Sequence, residues 1–218
     1  MKRVLFSILV DKLIVNGSKS RTIRDSFRFV AEQAARSPAI PFFYSREKLW
    51  AKILEDHFDS PWVGIEFGVA SGDSTLAISQ IENFKNCSEW NGFDTFYGLP
   101  EPWGDLPKGA FSTNGKPPRI KSNKFQWHIG DVAQTVKELD GAVLRERKVL
   151  VIFDLDLYEP SRIAWNHVVT FLKSGDVIYF DEAYEADEGR LIREIQEQLE
   201  VTLIPIGFTI MASSYLVG

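Results

Sequence analysis

Two short runs carry the densest chemistry in this 218-residue chain. "FDLDLYEP" holds Asp154 and Asp156, and "YFDEAYE" holds Asp181 and Glu182. Each pair closes an apolar, strand-like run, so four carboxylates would crowd the ends of two neighbouring strands. Unpaired, they would repel one another and raise some of their own pKa values. A bound divalent cation resolves that conflict. An all-oxygen ligand set points to magnesium, manganese or calcium, and an incomplete protein shell to magnesium that keeps water or takes substrate oxygens. The plainer alternative is a solvated acidic rim.

Further acids fall at comparable places. In "VGIEFGVASGDSTLAIS" an apolar strand ends at Glu66 and Phe67, and a turn runs through Gly68, Val69, Ala70 and Gly72. A helix starting near Asp73 and Ser74 follows. The two glycines let backbone approach a ligand closely, and the helix start offers N–H groups without partners. The spacing is E-x-G-x-x-x-G-x-S and lacks the G-x-G-x-x-G of a dinucleotide loop. Glu66 and Asp73 would repel a pyrophosphate and suit a cationic or hydroxyl-bearing ligand. A plain strand-to-helix turn is the alternative. In "NGFDTFYGLP" Asp94 ends the next strand, where a carboxylate can accept from both hydroxyls of a ribose, or simply cap a helix. Asp131, in "WHIGDVAQTV", suits a helix N-cap and could also accept from an adenine amino group.

The elements that must position these residues follow from periodicity. Ile23, Phe27, Val30 and Ala34 share one face of a helix between Ser20 and Ser37, stopped by Pro38 and Pro41. A second helix begins at Ser45, a plausible N-cap, and carries Leu49, Ile53 and Leu54 inward. Then come strand 62–67, helix 73–85, strand 89–93, a long Pro/Gly-rich loop to about 122, strand 125–129, helix 131–140 and strand 148–155. Helix 160–173, strand 176–181, helix 187–200 and a closing hairpin 201–217 complete the order. Strands alternating with amphipathic helices specify an α/β fold with a doubly wound, mostly parallel sheet. The last two strands are too close in sequence for a helical crossover, so at least one must run antiparallel. In such sheets ligands bind beyond the carboxyl ends of the strands, where the acids lie. A long loop inside a compact domain is usually functional, so Tyr97, Trp103 and Phe111 are candidates for a lid. Tyr158 and Tyr184 are candidates for the pocket wall. His57, His128 and His167 fall within or at the ends of elements, away from the strand ends, and read as structural.

Composition bounds the partners. With 25 Lys+Arg against 30 Asp+Glu, mixed throughout, there is no basic face for nucleic acid. The single cysteine, Cys87, excludes an internal disulfide and a thiolate zinc cluster and suits a reducing compartment. In "MKRVLFSILVDKLIVNG" two basic residues precede an apolar run, but Asp11 and Lys12 interrupt it. No stretch approaches the ~20 apolar residues of a membrane span. The segment reads as a cytoplasmic arm, packing on the core or on a second copy in a homo-oligomer. The expected division is 1–60 as arm and helices packing on the core, and 61–218 as the cofactor-binding domain.

Taken in order, "EFGVASGDS", "GFDTFYGLPEPW", "GDVAQTV", "FDLDLYEP" and "GDVIYFDEAYE" resemble the macrocin O-methyltransferase family, a branch of the class I S-adenosylmethionine-dependent methyltransferases. The resemblance covers about Ser45 to the C-terminus. It implies a seven-stranded Rossmann-like sheet with an antiparallel C-terminal strand. It also implies a glycine loop of Glu66, Gly68, Val69, Ala70, Gly72 and Ser74 around the methionine end of S-adenosylmethionine, with Glu66 facing the ammonium. Asp94 would take the ribose, and Asp131 and Asp154 would complete the cofactor site. Asp156, Asp181 and Glu182 would hold Mg2+, Glu182 standing where that family commonly has aspartate. Asp156 would double as catalytic base toward a hydroxylated small molecule such as a sugar. A nicotinamide-dependent oxidoreductase and a non-catalytic binding protein are the alternatives on a similar sheet.

Overall fold

The computed structural model describes Arg28 and residues 40–184, 186–198 and 201–218. The expected N-terminal arm and the helix between Ser20 and Ser37 lie outside the described residues, Arg28 excepted. Among the described residues no helix is long and apolar enough to cross a membrane.

Helix α1 (Arg46–His57) precedes β1 (Trp62–Phe67), α2 (Asp73–Ser79), β2 (Cys87–Asp94) and β3 (Phe125–Ile129). Then follow α3 (Val132–Thr135), α4 (Gly141–Glu146), β4 (Lys148–Phe153), α5 (Tyr158–Val168), β5 (Val177–Phe180), α6 (Ala186–Gln198), β6 (Leu203–Phe208) and β7 (Ser213–Val217). The seven strands form one sheet in the order β3-β2-β1-β4-β5-β7-β6. The first five are mutually parallel, and β7 runs antiparallel between β5 and β6. This is the α/β, mostly parallel architecture that the alternation of strands and helices predicts, with the antiparallel C-terminal strand that the resemblance implies.

Central strands read as continuous apolar runs because both faces are covered. On one face Phe67, Val151, Phe153 and Phe180 pack under α5 and α6, with Trp165 and Ile192 fully or nearly fully buried. On the other, Trp62, Trp90, Leu150, Ile152 and Tyr179 pack under α1 and α2. Helix α1 contributes Leu49, Trp50, Ile53 and Leu54 to that second layer, all buried. Gly64 sits opposite Trp90 in the β1–β2 register, and a Cβ there would meet the indole at 2.2 Å. A glycine in mid-strand therefore makes room for a tryptophan.

Several element bounds differ from the sequence reading. The helix expected over 73–85 stops at Ser79 and gives way to a 3-10 turn, Glu82–Asn86, that buries Phe84 against Trp62. The helix expected over 131–140 is a short α3 and a 3-10 turn, after which Asp140 caps the unexpected α4 by accepting from Ala142 N–H at 2.9 Å.

At the amino ends of the strands, Asp176 is fully buried and accepts from Val149 N–H and Lys173 N–H, both at 2.9 Å, with the Lys173 ammonium 3.3 Å away. That knot ties the β5 entrance to β4, remote from the carboxyl ends where the chemistry gathers.

Candidate active site

Four backbone bonds continue the sheet one step past the strands and level their carboxyl ends. Gly130 N–H donates to Asp94 O (3.0 Å), Gly68 N–H to Phe93 O (2.9 Å), Asp154 N–H to Phe67 O (2.8 Å) and Asp181 N–H to Phe153 O (3.0 Å). Residues beyond these bonds face one cavity of about 620 Å³. Among the described residues its wall carries Asp73, Asp94, Asp131, Asp154, Asp156, Asp181 and Glu182, against the cations Arg46 and Lys108.

The glycine loop is shaped by tight approach. Gly68 has φ +88°, and a Cβ on it would lie 1.8 Å from Asp154 O, so any side chain would push β1 and β4 apart. Ala70 is held at φ +46°. The clamp is Asp94: one oxygen accepts from Val69 N–H (2.9 Å) and Ala70 N–H (2.7 Å), the other from Phe96 N–H (2.7 Å). Asp94, assigned by the sequence to a ribose, thus spends three acceptor positions on backbone while still lining the cavity. Ser74 also lines it, and α2 starts at Gly72 with no side-chain cap.

Glu66 does not line the cavity; it is fully buried beneath the loop. The Thr75 hydroxyl and Trp90 Nε1–H (3.0 Å) both donate to Oε2. Oε1 is buried and has no partner among the described residues. Burial pushes the carboxyl up to about 8, against the hydrogen bonds from Thr75 and Trp90, which pull it down. Asp131 caps α3 by accepting from Ala133 N–H at 2.8 Å, and remains exposed on the cavity rim.

At the acceptor end, burial and then the charge of Asp181 hold Asp154 well above the usual carboxylate range. Asp156 sits in a tight turn closed by Leu157 N–H to Leu155 O (2.7 Å), with φ +63°, a strained conformation for a non-glycine residue. Its residue is 9 % exposed, and its carboxylate makes no hydrogen bond or ion pair with the described residues. Burial, then Asp181, raises it to about 6. Asp181 is bonded at both oxygens: Oδ1 accepts from Tyr179 OH (2.6 Å) and Oδ2 from Arg46 Nη1 (3.2 Å). Glu182 lies beside it on the wall, and its N–H donates to Glu188 at 3.0 Å.

A magnesium ion needs oxygens closing around one point. Among the described residues no group of three or more acid, histidine or cysteine side chains does so. The expected set Asp156, Asp181 and Glu182 shares one wall of the cavity, with Tyr179 and Arg46 each bonded to one Asp181 oxygen. The described residues form no metal site in this arrangement. The wall is rich in carboxylate and suits a cationic or hydroxyl-bearing ligand.

Three participants were not read from the sequence. Arg46 enters from α1, ahead of the first strand, and Tyr179 points back from inside β5. Glu188, fully buried on α6, holds the turn after β5. Of the aromatic candidates, Tyr97, Trp103 and Phe111 line the cavity. Tyr158 and Tyr184 do not: Tyr158 OH donates to Glu194 (2.5 Å) under the Arg190 guanidinium. None of the three histidines lines it, and His128 is fixed between Glu138 (2.7 Å) and Asn91 (2.9 Å).

The order and direction of the strands place the chain structurally among class I methyltransferase folds. Solved structures with the same fold include CalS11, a calicheamicin methyltransferase, at 20% identity, covering 92% of this chain and 93% of that one with a TM-score of 0.60. Its apo structure, described as a TDP-rhamnose 3'-O-methyltransferase, aligns at 20% identity over 92% of this chain and 95% of that one, TM-score 0.53. The O-methyltransferase NovP aligns at 13% identity over 78% of each chain, TM-score 0.61. No protein-family model and no curated protein matches the chain, so the macrocin resemblance stands on its motifs alone.

Proposed function

We propose that this protein is an S-adenosylmethionine-dependent O-methyltransferase acting on a hydroxyl of a sugar-containing or polyhydroxylated small molecule. The observation that carries the reading is Asp156, a carboxylate without a partner among the described residues, held by strained backbone in the cavity that the glycine loop also lines. Similarity in fold to CalS11, a TDP-rhamnose 3'-O-methyltransferase, and to the O-methyltransferase NovP supports it. The cofactor would supply an electrophilic methyl on a sulfonium.

The loop from Gly68 to Ser74 would bind its aminocarboxypropyl end, above the free Glu66 oxygen. Asp94 would offer its remaining acceptor capacity to the ribose, and Asp131 would stand at the adenine side. Tyr97, Trp103 and Phe111 would exclude water and orient the acceptor, and such positioning contributes roughly 7–11 kcal/mol when geometry is right. Asp156 would take the acceptor proton as the new O–C bond forms. A carboxylate is a weak base toward an alcohol, so its effect depends on acting while the methyl is already moving, a contribution of about 10²–10⁴-fold. No step is routed through magnesium.

The test is a thermal-shift comparison of S-adenosylhomocysteine with NAD, followed by turnover on hydroxylated acceptors with and without EDTA. A native-state ligand at a hundredfold excess over its Kd adds about 2.7 kcal/mol, and each kcal/mol moves Tm by roughly 2–4 °C at this size. Stabilisation by S-adenosylhomocysteine and not NAD is expected. The reverse result, which a nicotinamide enzyme would give, overturns the proposal. Cofactor binding without transfer to any hydroxylated acceptor would leave a binding protein.

A further inference from the structure

The strand-end acids of the cavity are unevenly balanced. Among the described residues, Arg46 forms an ion pair with Asp181. Lys108, also on the wall, sits exposed on the long loop and forms no ion pair with the described residues. Arg46 is fixed from several sides. Nη1 donates to Asp181, whose other oxygen accepts from Tyr179, and the guanidinium lies over the Trp50 ring at 5.2 Å to the centroid. Asp154 acts on it electrostatically from β4, and Glu47, its neighbour on α1, stands 3.9 Å from Nε. Its partner lies 135 residues away in sequence, so α1 is docked with its first residue reaching into the cavity.

We infer that Arg46 is the built-in counter-cation of this cavity, its guanidinium taking at Asp181 the electrostatic place that a divalent ion would otherwise fill. A planar guanidinium suits the role, because it remains charged at any working pH, stacks on an indole and directs fixed donors at a carboxylate. A divalent ion and Arg46 compete for the same oxygens: whichever binds Asp181 screens the acids around it, and the second cation then meets both a lost ligand and like-charge repulsion. Helix α1 is therefore part of the active site through its charge, in addition to its role in the core. The inference concerns charge balance and does not need the methyl-transfer reading to be correct.

The test titrates Mn2+, read by paramagnetic resonance, into the full chain freed of metal with EDTA. The wild type should show no saturable binding at millimolar Mn2+, and Arg46→Lys, which keeps the charge, should behave like it. Arg46→Met keeps the stem over Trp50 but removes the charge, and should gain saturable Mn2+ binding at least about tenfold tighter than wild type. Saturable binding to the wild type at a strength matching Arg46→Met overturns the inference, as does Arg46→Met gaining nothing. If Arg46→Met fails to fold, the wild type and Arg46→Lys still decide, since tight Mn2+ binding to either is incompatible with a resident counter-cation. S-adenosylhomocysteine affinity measured on the same samples separates the two readings: its loss in the wild type counts against the proposed function and leaves the Mn2+ result standing.

Discussion

Asp156 is the residue whose substitution separates chemistry from binding. Its carboxylate has no partner to lose, so Asp156→Asn should leave folding and S-adenosylhomocysteine affinity unchanged while turnover falls by about 10²–10⁴-fold, measured by isothermal titration and a methyl-transfer assay. Unchanged turnover would remove Asp156 from the mechanism. Glu66 gives a pH prediction. Its folded pKa of about 8 lies above the 4.5 of a free glutamate, so between those values the folded state binds more protons than the unfolded one. Stability should therefore fall as pH rises through that window, by up to about 1.4 kcal/mol per pH unit. Glu66→Gln should flatten the slope in urea titrations at several pH values; an equal slope in both proteins would show that Glu66 is not the source. The acids at the strand ends were legible because strand, acid and turn follow one another in the sequence. The burial of Glu66 was not, since it depends on Gly64 admitting the Trp90 indole from a strand 24 residues away. Arg46 was illegible for the same reason: nothing local in "SREKLW" points to Asp181.

The glycine loop is an element whose shape is held from outside. Gly68→Ala would place a methyl against Asp154 O and impose φ +88° on a residue with a side chain, so a loss of about 1–3 kcal/mol is expected from the backbone strain alone. S-adenosylhomocysteine affinity should fall with it. Chemical denaturation and titration check both, and wild-type values would mean that the β1–β4 approach is looser than described. The long loop between β2 and β3 behaves as a folded unit. Leu99 and Ala110 are paired by a 3.0 Å bond, Trp103 and Leu106 exchange two, and Phe96 O accepts from Thr113 and Gly115. It leaves Tyr97 at 68 % and Phe111 at 52 % exposure on the cavity side, an arrangement that gains only if something covers them. Tyr97→Ala with Phe111→Ala should raise the acceptor KM while leaving cofactor Kd alone; an effect on Kd instead would move the loop to the cofactor side. Its length and Pro/Gly content marked it as functional in the sequence, whereas α4 was hidden because Asp140 and Gly141 look like the end of one helix and are the start of another.

At the scale of the molecule, the sheet and its parallel core were readable because runs such as "VLVIF" and "DVIYF" must be covered on both faces. The insertion of β7 between β5 and β6 was not, since hairpin neighbours in sequence fix their own pairing and leave open which of them meets β5. The two ends of the sheet treat buried acids differently. Asp176 is held by two backbone donors and a lysine, whereas Asp154 and Asp156 at the far end have no such partners among the described residues. Asp176→Ala should therefore cost about 1–3 kcal/mol for each donor stranded, read by urea unfolding, with S-adenosylhomocysteine affinity preserved. A matching loss of affinity would show that the ends are coupled.

The knot at Lys173 and Asp176 also sets how the protein could be re-engineered. Because it closes the entrance of the sheet without drawing on any residue of the cavity, libraries could randomise the β2–β3 loop and the turn after β5 in search of new acceptors. Variants that fail in such a screen would then report on fit to the new molecule, with collapse of the scaffold ruled out by one unfolding curve.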